Sequence, residues 1–335
     1  MMRLVQLQHR SHGRRVAWVG EPNLRLLSDF DSIWALAQRA IEKGGAIESL
    51  VLGNLSETEI NYDEVYEGLS DWKLLPSFDH PQDPCKIMLS GTGLTHKASA
   101  ENRQKMHEAA QEVGLTDSMK IYLWGVEGGH PENGNIGIQP EWFYKGNGSV
   151  LRAHGDNLEI PPYGNDGGEE PELAGVYLND RDGKPWRIGF TTANEFSDHI
   201  MERKNYLYLA PSKIRNCAIG PELVVTSKFE DIHGEVSIVR KNAALWNKTI
   251  HTGENNMAHS LANLEYHHFK YANHRLPGQG HVHFFGADAF SFGAGIELQE
   301  SDVMQIEWEG MGRPLRNVLI KTKKKEKLIG IGIMG

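Results

Sequence analysis

Cysteine is scarce: Cys85 and Cys217 are the only two in 335 residues. Two thiols make no disulfide framework and have no thiolate-metal spacing, so a reducing compartment, the cytoplasm, is expected. No apolar run reaches membrane-spanning length, and the opening MMRLVQLQHRSHGRRVAWVG breaks its apolar residues with Arg, His and Gln, leaving no signal-peptide core. Positive charge is not in excess either. The 44 Asp and Glu against 35 Lys and Arg give a net charge of -9, unsuited to gripping nucleic acid or an anionic membrane. The basic stretch KTKKKEK is short enough to be a solvated surface turn and is assigned no function.

What remains is a globular chain long enough for one principal domain and an appendage. Residues 1–80 read as a small α/β domain: alternation around SHGRR predicts a hairpin, and SDFDSIWALAQRAIEKGG predicts a helix with Ser28 or Asp31 as cap and Gly44 as stop. The Pro-rich, acidic YEGLSDWKLLPSFDHPQDP is a connection, with a boundary near Pro81. In residues 81–335 the runs KIMLSG, KIYLWG, PELAGVYL, WRIGFTTAN, PELVVTSKF, EVSIVRK and VMQIEWEG stand between Gly, Asn and Asp turns and predict a mostly β region. One helix is expected in ASAENRQKMHEAAQEVG, with Met106, Ala109, Ala110 and Val113 at helical spacing before Gly114. A second is expected in ENNMAHSLANLEYHHFKYANHR.

The stretch GEEPELAGVY places Glu170 and Glu172 two residues apart, so in a strand both project from one face and repel unless a cation lies between them. Downstream, GFTTANEFSDHIMERKNYLYLAPSKIRNCAIGPELV supplies Glu195, Asp198, Lys213 and a Gly220-Pro221 turn. Three carboxylates with open positions suit Mg²⁺, or Mn²⁺, with room for a substrate to chelate the ion. By spacing alone, the solvent face of an edge strand is the commoner account of the first two acids, since such alternation is usual in half-exposed strands, and Glu195 would then belong to a loop. A rival metal site is the His-rich YHHFKYANHRLPGQGHVHFFG, where His267, His268, His281 and His283 could ligate zinc. Packing and hydrogen bonding are the commoner use of such pairs, and no HExxH pattern is present.

The order of these elements resembles the fumarylacetoacetate hydrolase family, in which a Glu-x-Glu strand is followed after about twenty residues by an acid in an Asn-Asp pair, then by Lys and Gly-Pro. Here the pair is Asn194-Glu195. IQPEWFYK is similar to the family's Pro-x-x-Phe-x-Lys segment, ENNMAHSLANLEYHHF to its Met-containing helix and SDVMQIEWEGMGRPLRNVL to its terminal strand pair. The likeness runs from about Lys86 to Val318. SGTGLTHKASAENRQKMHE and the His-rich segment most resemble the AraD1/GguC-type branch. The resemblance implies an α+β, β-rich fold, a rolled mixed β-sheet core with a small N-terminal α/β domain. It also implies a metal held by Glu170, Glu172 and Glu195, a homodimer, and a small-molecule 2-keto acid substrate. Two departures stand out. Gly286-Ala287-Asp288 replaces the usual Gly-Thr-Pro, and SGTGLTH keeps only His96 of an Asn-Tyr-x-x-His segment, with Glu101 at altered spacing from it.

Relatives in the wider family dehydrate 2-keto-3-deoxy-pentonates or hydrolyse diketo sugar acids. A chelated 2-keto acid loses a C3 proton readily because polarisation of its keto group stabilises the enolate, and loss of the C4 hydroxyl follows. Lys213 is the first candidate for substrate orientation or proton transfer, its alternative being a salt bridge to a ligand carboxylate. His96 and Glu101 are the second candidates for acid and base work, with capping or packing as the alternative for His96. The leading expectation is thus a hydro-lyase forming 2-oxoglutarate semialdehyde in pentose catabolism. A C-C hydrolase of a 2,4-diketo acid and a non-enzymatic sugar-acid sensor are the alternatives.

Overall fold

The computed structural model describes residues 1–335 except 46, 109–115 and 133. Its strands in chain order are β1 (Met2–His9), β2 (Gly13–Gly20), β3 (Asn23–Leu27), β4 (Leu55–Asn61), β5 (Trp72–Leu74), β6 (Ile87–Gly91), β7 (Phe143–Asn147), β8 (Leu151–Arg152) and β9 (Asn157–Ile160). There follow β10 (Pro171–Asn179), β11 (Pro185–Asn194), β12 (Cys217–Val225), β13 (Ile232–Arg240), β14 (Ala243–Thr252), β15 (Gly280–Phe284), β16 (Val303–Trp308) and β17 (Leu315–Lys321). The helices are α1 (Ile33–Glu42), α2 (Ile47–Leu52), α3 (Tyr62–Tyr66), α4 (Lys97–Glu108), α5 (Asp117–Gly128), α6 (His199–Lys204), α7 (Leu209–Lys213) and α8 (Leu261–Phe269).

Among the described residues, twelve strands form one mixed sheet in the order β4-β3-β2-β1-β12-β11-β10-β15-β6-β7, with β5 added on β1 and β8 on β12. A second sheet runs β14-β13-β16-β17-β9. Side-chain alternation sorts β10 between two cores. Ala174, Val176 and Leu178 join Leu4, Val16, Ile33, Leu36 and Phe284. Leu173 instead joins Phe190, Val224, Val236, Ile306 and Trp308, which fill the layer between the two sheets. Each fully buried Leu, Ile, Val or Phe in these layers contributes roughly 1.5–3 kcal/mol against the chain entropy. Every residue of β10 is buried. The carboxylates at its start are therefore carried into the interior instead of lining an exposed edge.

The first eighty residues reach the rest of the chain through β1, which pairs antiparallel with β12 at Leu4 and Leu223. They also hold a cluster of their own around Val5, Leu7, Ala17, Leu24, Tyr62 and Val65. The cap of α1 is Ser32, not Ser28 or Asp31. Its Oγ accepts from the Ala35 N–H at 3.3 Å and donates to Asp31 Oδ1 at 3.0 Å, so Asp31 orients the cap. Gly44, at φ +93, follows the helix end.

One expected strand, KIYLWG, is instead part of α5. Thr116 caps that helix by accepting from the Met119 N–H at 3.3 Å, and Trp124 and Val126 stay exposed on it. A six-residue apolar run carries too little period to separate strand from helix, and the local cap decides. The ENNMAHSLANLEYHHF helix is α8, begun by Ser260, whose Oγ accepts from the Asn263 N–H at 3.2 Å. Met106 falls within α4, whereas Ala109, Ala110, Val113 and Gly114 lie outside the described residues. No helix among the described residues is long and apolar enough to cross a membrane.

Candidate metal centre

Strands β10 and β11 pair antiparallel with Pro171 opposite Asn194 and Glu172 opposite Ala193. Glu170, one residue before β10, therefore meets Glu195, one residue after β11, and the Glu195 N–H donates to the Glu170 carbonyl at 3.0 Å. Glu170, Glu172 and Glu195 are all buried and each offers an oxygen within 4.8 Å of the others. Asp198, the other acid of the segment, is used elsewhere. It caps α6 by accepting from the Met201 N–H at 2.8 Å and pairs with Arg215 Nη2 at 2.8 Å.

Lys213, the last residue of α7, is 1 % exposed at its side chain, with Nζ 2.5 Å from Glu170 Oε1 and 3.2 Å from Glu195 Oε2. Lys145, from the IQPEWFYK segment, is buried behind it and donates to the carbonyls of Phe196 at 2.7 Å and Lys213 at 3.0 Å, pinning the end of α7. The Gly286 N–H donates to Glu172 Oε2 at 2.6 Å. Gly286 has φ +94, and a Cβ there would lie 2.2 Å from Thr95 Oγ1, so both backbone and space require glycine. A Cβ on Gly91 would lie 2.6 Å from Glu195 Oε1, which brings the bare backbone of SGTGLTH against the third acid.

Burial, then the charges of Glu195 and Glu170, pushes the Glu172 carboxyl well above its usual range. Burial also lifts Glu195 to about 7 against the pull of Lys213 and Lys145. Glu170 feels the same burial, but the Lys213 ammonium and the His199 ring hold it well below the ordinary value. Among the described residues neither carboxylate oxygen of Glu195 receives an aligned hydrogen bond, although Lys213 Nζ lies 3.2 Å from Oε2. Three converging buried carboxylates, two of them pushed upward by burial and by the charge of their neighbours, form an all-oxygen donor set, which is the chemistry of a hard divalent ion. The residues present therefore fit Mg²⁺ or Mn²⁺.

The other two expected site residues are placed apart. The His96 ring is buried between Thr95 Oγ1, 2.9 Å from Nδ1, and Thr252 Oγ1, 3.3 Å from Nε2, and burial pushes its pKa down to about 3. Glu101 is half exposed and pairs with Lys97 at 3.5 Å. No hydrogen bond or ion pair among the described residues joins His96 to Glu101. Spacing gave no sign of His199, whose Nε2 lies 3.2 Å from Glu170 Oε1, or of the Gly286 N–H. The first is a lone His 29 residues from its partner, and the second is a backbone donor.

The His-rich segment forms a hydrogen-bonded cluster. His268 Nε2 meets His281 Nδ1 at 3.0 Å, His283 contacts Ser90 Oγ at 2.8 Å and Thr92 Oγ1 at 2.9 Å, and Trp142 Nε1 donates to His268 Nδ1 at 3.2 Å. Among the described residues the glutamate triad is the one group of three or more side chains arranged to hold a metal. Burial pushes His281 and His283 down to about 3 and His268 well below its usual value. Below about pH 6.5 the unfolded chain takes up protons that the folded cluster refuses, so stability falls as pH drops from about 6.5 toward 3, by up to roughly 1.4 kcal/mol per pH unit for each group. The expected result is a melting temperature that drops steeply between about pH 6 and 4. An unchanged melting temperature across that range would contradict buried neutral imidazoles.

No protein-family model matches the chain. It is 26% identical over 244 residues to the 2-dehydro-3-deoxy-D-arabinonate dehydratase of Saccharolobus solfataricus, covering 64% of this chain and 75% of that protein. It is 29% identical over 179 residues to a "probable 2-keto-3-deoxyxylonate dehydratase" of Haloferax volcanii, covering 52% of this chain and 58% of that one. A solved structure of 2-keto-3-deoxy-D-arabinonate dehydratase complexed with magnesium and 2,5-dioxopentanoate superposes with TM-score 0.69 at 21% identity, over 96% of this chain and 100% of the other. The chain therefore has the fold of the 2-keto-3-deoxy-D-arabinonate dehydratase structures, a β-rich α+β fold with a rolled mixed sheet.

Proposed function

We propose that this protein is a hydro-lyase that removes water from a 2-keto-3-deoxy-pentonate, such as the arabonate, to give 2,5-dioxopentanoate, the semialdehyde of 2-oxoglutarate. One observation carries the reading: three buried glutamates converge with the Lys213 ammonium on two of them, while His96 and Glu101 are not paired for hydrolysis. The curated relatives and the magnesium-bound structure, all named as dehydratases of such acids, support it.

Glu170, Glu172 and Glu195 would hold Mg²⁺ or Mn²⁺, which when bound supplies Lewis-acid polarisation of the substrate's keto and carboxylate oxygens. Lys213, fixed by two carboxylates, orients the substrate and moves a proton at C3 or at the departing C4 hydroxyl. The 5-hydroxy-2-oxo-3-enoate so formed becomes the 5-aldehyde by tautomerisation, with protons lost from C5 and its hydroxyl and regained at C3 and C4. Elimination requires no activated attacking water. A neutral His96 locked between two threonines and a solvent-facing Glu101 suit it better than they suit C-C hydrolysis. These two stay the second candidates for complementary acid–base work.

The sugar-acid branch of the family, a place in pentose catabolism, a cytoplasmic location and a homodimer belong to the same proposal, the last to be checked by light scattering at micromolar concentration. The test of function is incubation of the purified protein and Mg²⁺ with a panel of 2-keto-3-deoxy sugar acids and 2,4-diketo acids, with products identified by mass spectrometry. A product lighter by one water is expected from a 2-keto-3-deoxy-pentonate. Two carbon fragments from a diketo acid would select the hydrolase, and binding without turnover would select the sensor.

A further inference from the structure

Glu170 receives two donors on one oxygen. Lys213 Nζ lies 2.5 Å and His199 Nε2 3.2 Å from Oε1, and no hydrogen bond among the described residues reaches Oε2. We propose that His199 is a positioning residue: together with Lys213 it pins Oε1 so that Oε2 is turned toward the divalent cation. A single donor leaves a carboxylate free to pivot about that contact. Two donors from separate elements, α6 and α7, fix its plane, as outer partners do for ligating groups generally.

The setting of the ring is built for orientation. His199 is 2% exposed. It stacks on Phe290 at 4.8 Å and 13°, and Phe292 lies against it at 5.1 Å. Behind it runs bare backbone, since a Cβ on Gly168 would come within 2.5 Å of Nδ1. As the first residue of α6, His199 takes its direction from the Asp198 cap, and Arg215 Nη1 and Nη2 tie that turn to the Asp166 carbonyl at 2.6 Å and to Asp198 Oδ2 at 2.8 Å. The ring cannot swing away from Glu170 without breaking the stack or meeting Gly168.

This rests on the metal reading above, and the test separates the two. Mg²⁺ binding is measured by titration calorimetry, beside turnover, on the wild type, His199→Phe, which keeps the stack and loses the donor, and His199→Gln, which keeps an N–H at similar reach. Mg²⁺ affinity is expected to fall about 10–100-fold in the Phe variant and to return to within about threefold of wild type in the Gln variant. Should the Phe variant fail to fold, His199→Asn, whose shorter amide cannot reach Glu170, takes its place with the same expectation. Wild-type affinity in the donor-less variant overturns the proposal, and so does a Gln variant as weak as Phe, which would make the ring mere packing. A wild type that binds no divalent ion removes the metal site itself and this proposal with it.

Discussion

Glu172→Gln is expected to abolish the response of the protein to Mg²⁺ while leaving the fold intact. The amide is isosteric and can still accept from the Gly286 N–H, now 2.6 Å from Glu172 Oε2, so the packing of β10 is kept. What is lost is one of three formal charges facing the ion. Loss of an outer-shell partner already costs about 10–100-fold in metal affinity or activity, so removal of a ligand charge should lower turnover by about 10³-fold or more. The wild type, with Mg²⁺ at 100 times its dissociation constant, should gain about 2.7 kcal/mol of stability, and the variant almost none. In the absence of metal the ranking reverses, because Gln removes the cost of burying a carboxylate and, after it, the repulsion from Glu195 and Glu170, which together push Glu172 upward. Differential scanning calorimetry with and without Mg²⁺ reads both signs. A Gln variant that melts and turns over like the wild type would exclude Glu172 as a ligand.

Lys213→Met should separate catalysis from metal binding. The methionine stem fills most of the lysine volume but removes the cation lying 2.5 Å from Glu170 and 3.2 Å from Glu195. Without metal, three buried carboxylates then face one another with one cation fewer, a loss of about 3–5 kcal/mol for breaking a buried pair. With Mg²⁺ bound, the ion replaces much of that charge, and removal of a cation beside the ion offsets the loss of one of the two donors to Glu170. Affinity should therefore change less than turnover, which falls by about 10²–10⁴-fold, the range for a lost proton-transfer group. Lys213→Arg checks the salt-bridge alternative. It should restore metal-free stability through its charge but not turnover, because guanidinium does not give up its proton near neutrality. Arg variants with full activity would reduce Lys213 to a structural ion pair.

How far the sequence reached depended on the range of each signal. Glu170 and Glu172 stood out because strand period is local, and Glu195 and Lys213 because the order of the resembled motifs carried them; the structure brings the three glutamates together with Lys213 beside two of them. Burial was not legible: the edge-strand alternative for the two acids was removed only by β15 covering the far side of β10 through the Gly175 and His283 pairing. His199 and Gly286 reach the site through contacts 29 and 114 residues away in sequence, which no window contains. KIYLWG became helix because Thr116 offered a cap just ahead of it. The His-rich segment looked metal-like in composition, but the nitrogens of His268, His281 and His283 are taken by Ser90, Thr92, Trp142, Asn179 and one another, and those of His267 by Gln139 and the Gly137 carbonyl.

The central claim, elimination of water at the glutamate triad, is tested most directly by proton NMR of a 2-keto-3-deoxy-pentonate turned over in D₂O with Mg²⁺. Dehydration through an enolate predicts 2,5-dioxopentanoate carrying solvent deuterium, formed by the wild type and not by Glu172→Gln. Two carbon fragments in place of the five-carbon aldehyde, or the same product formed equally by Glu172→Gln, would contradict it.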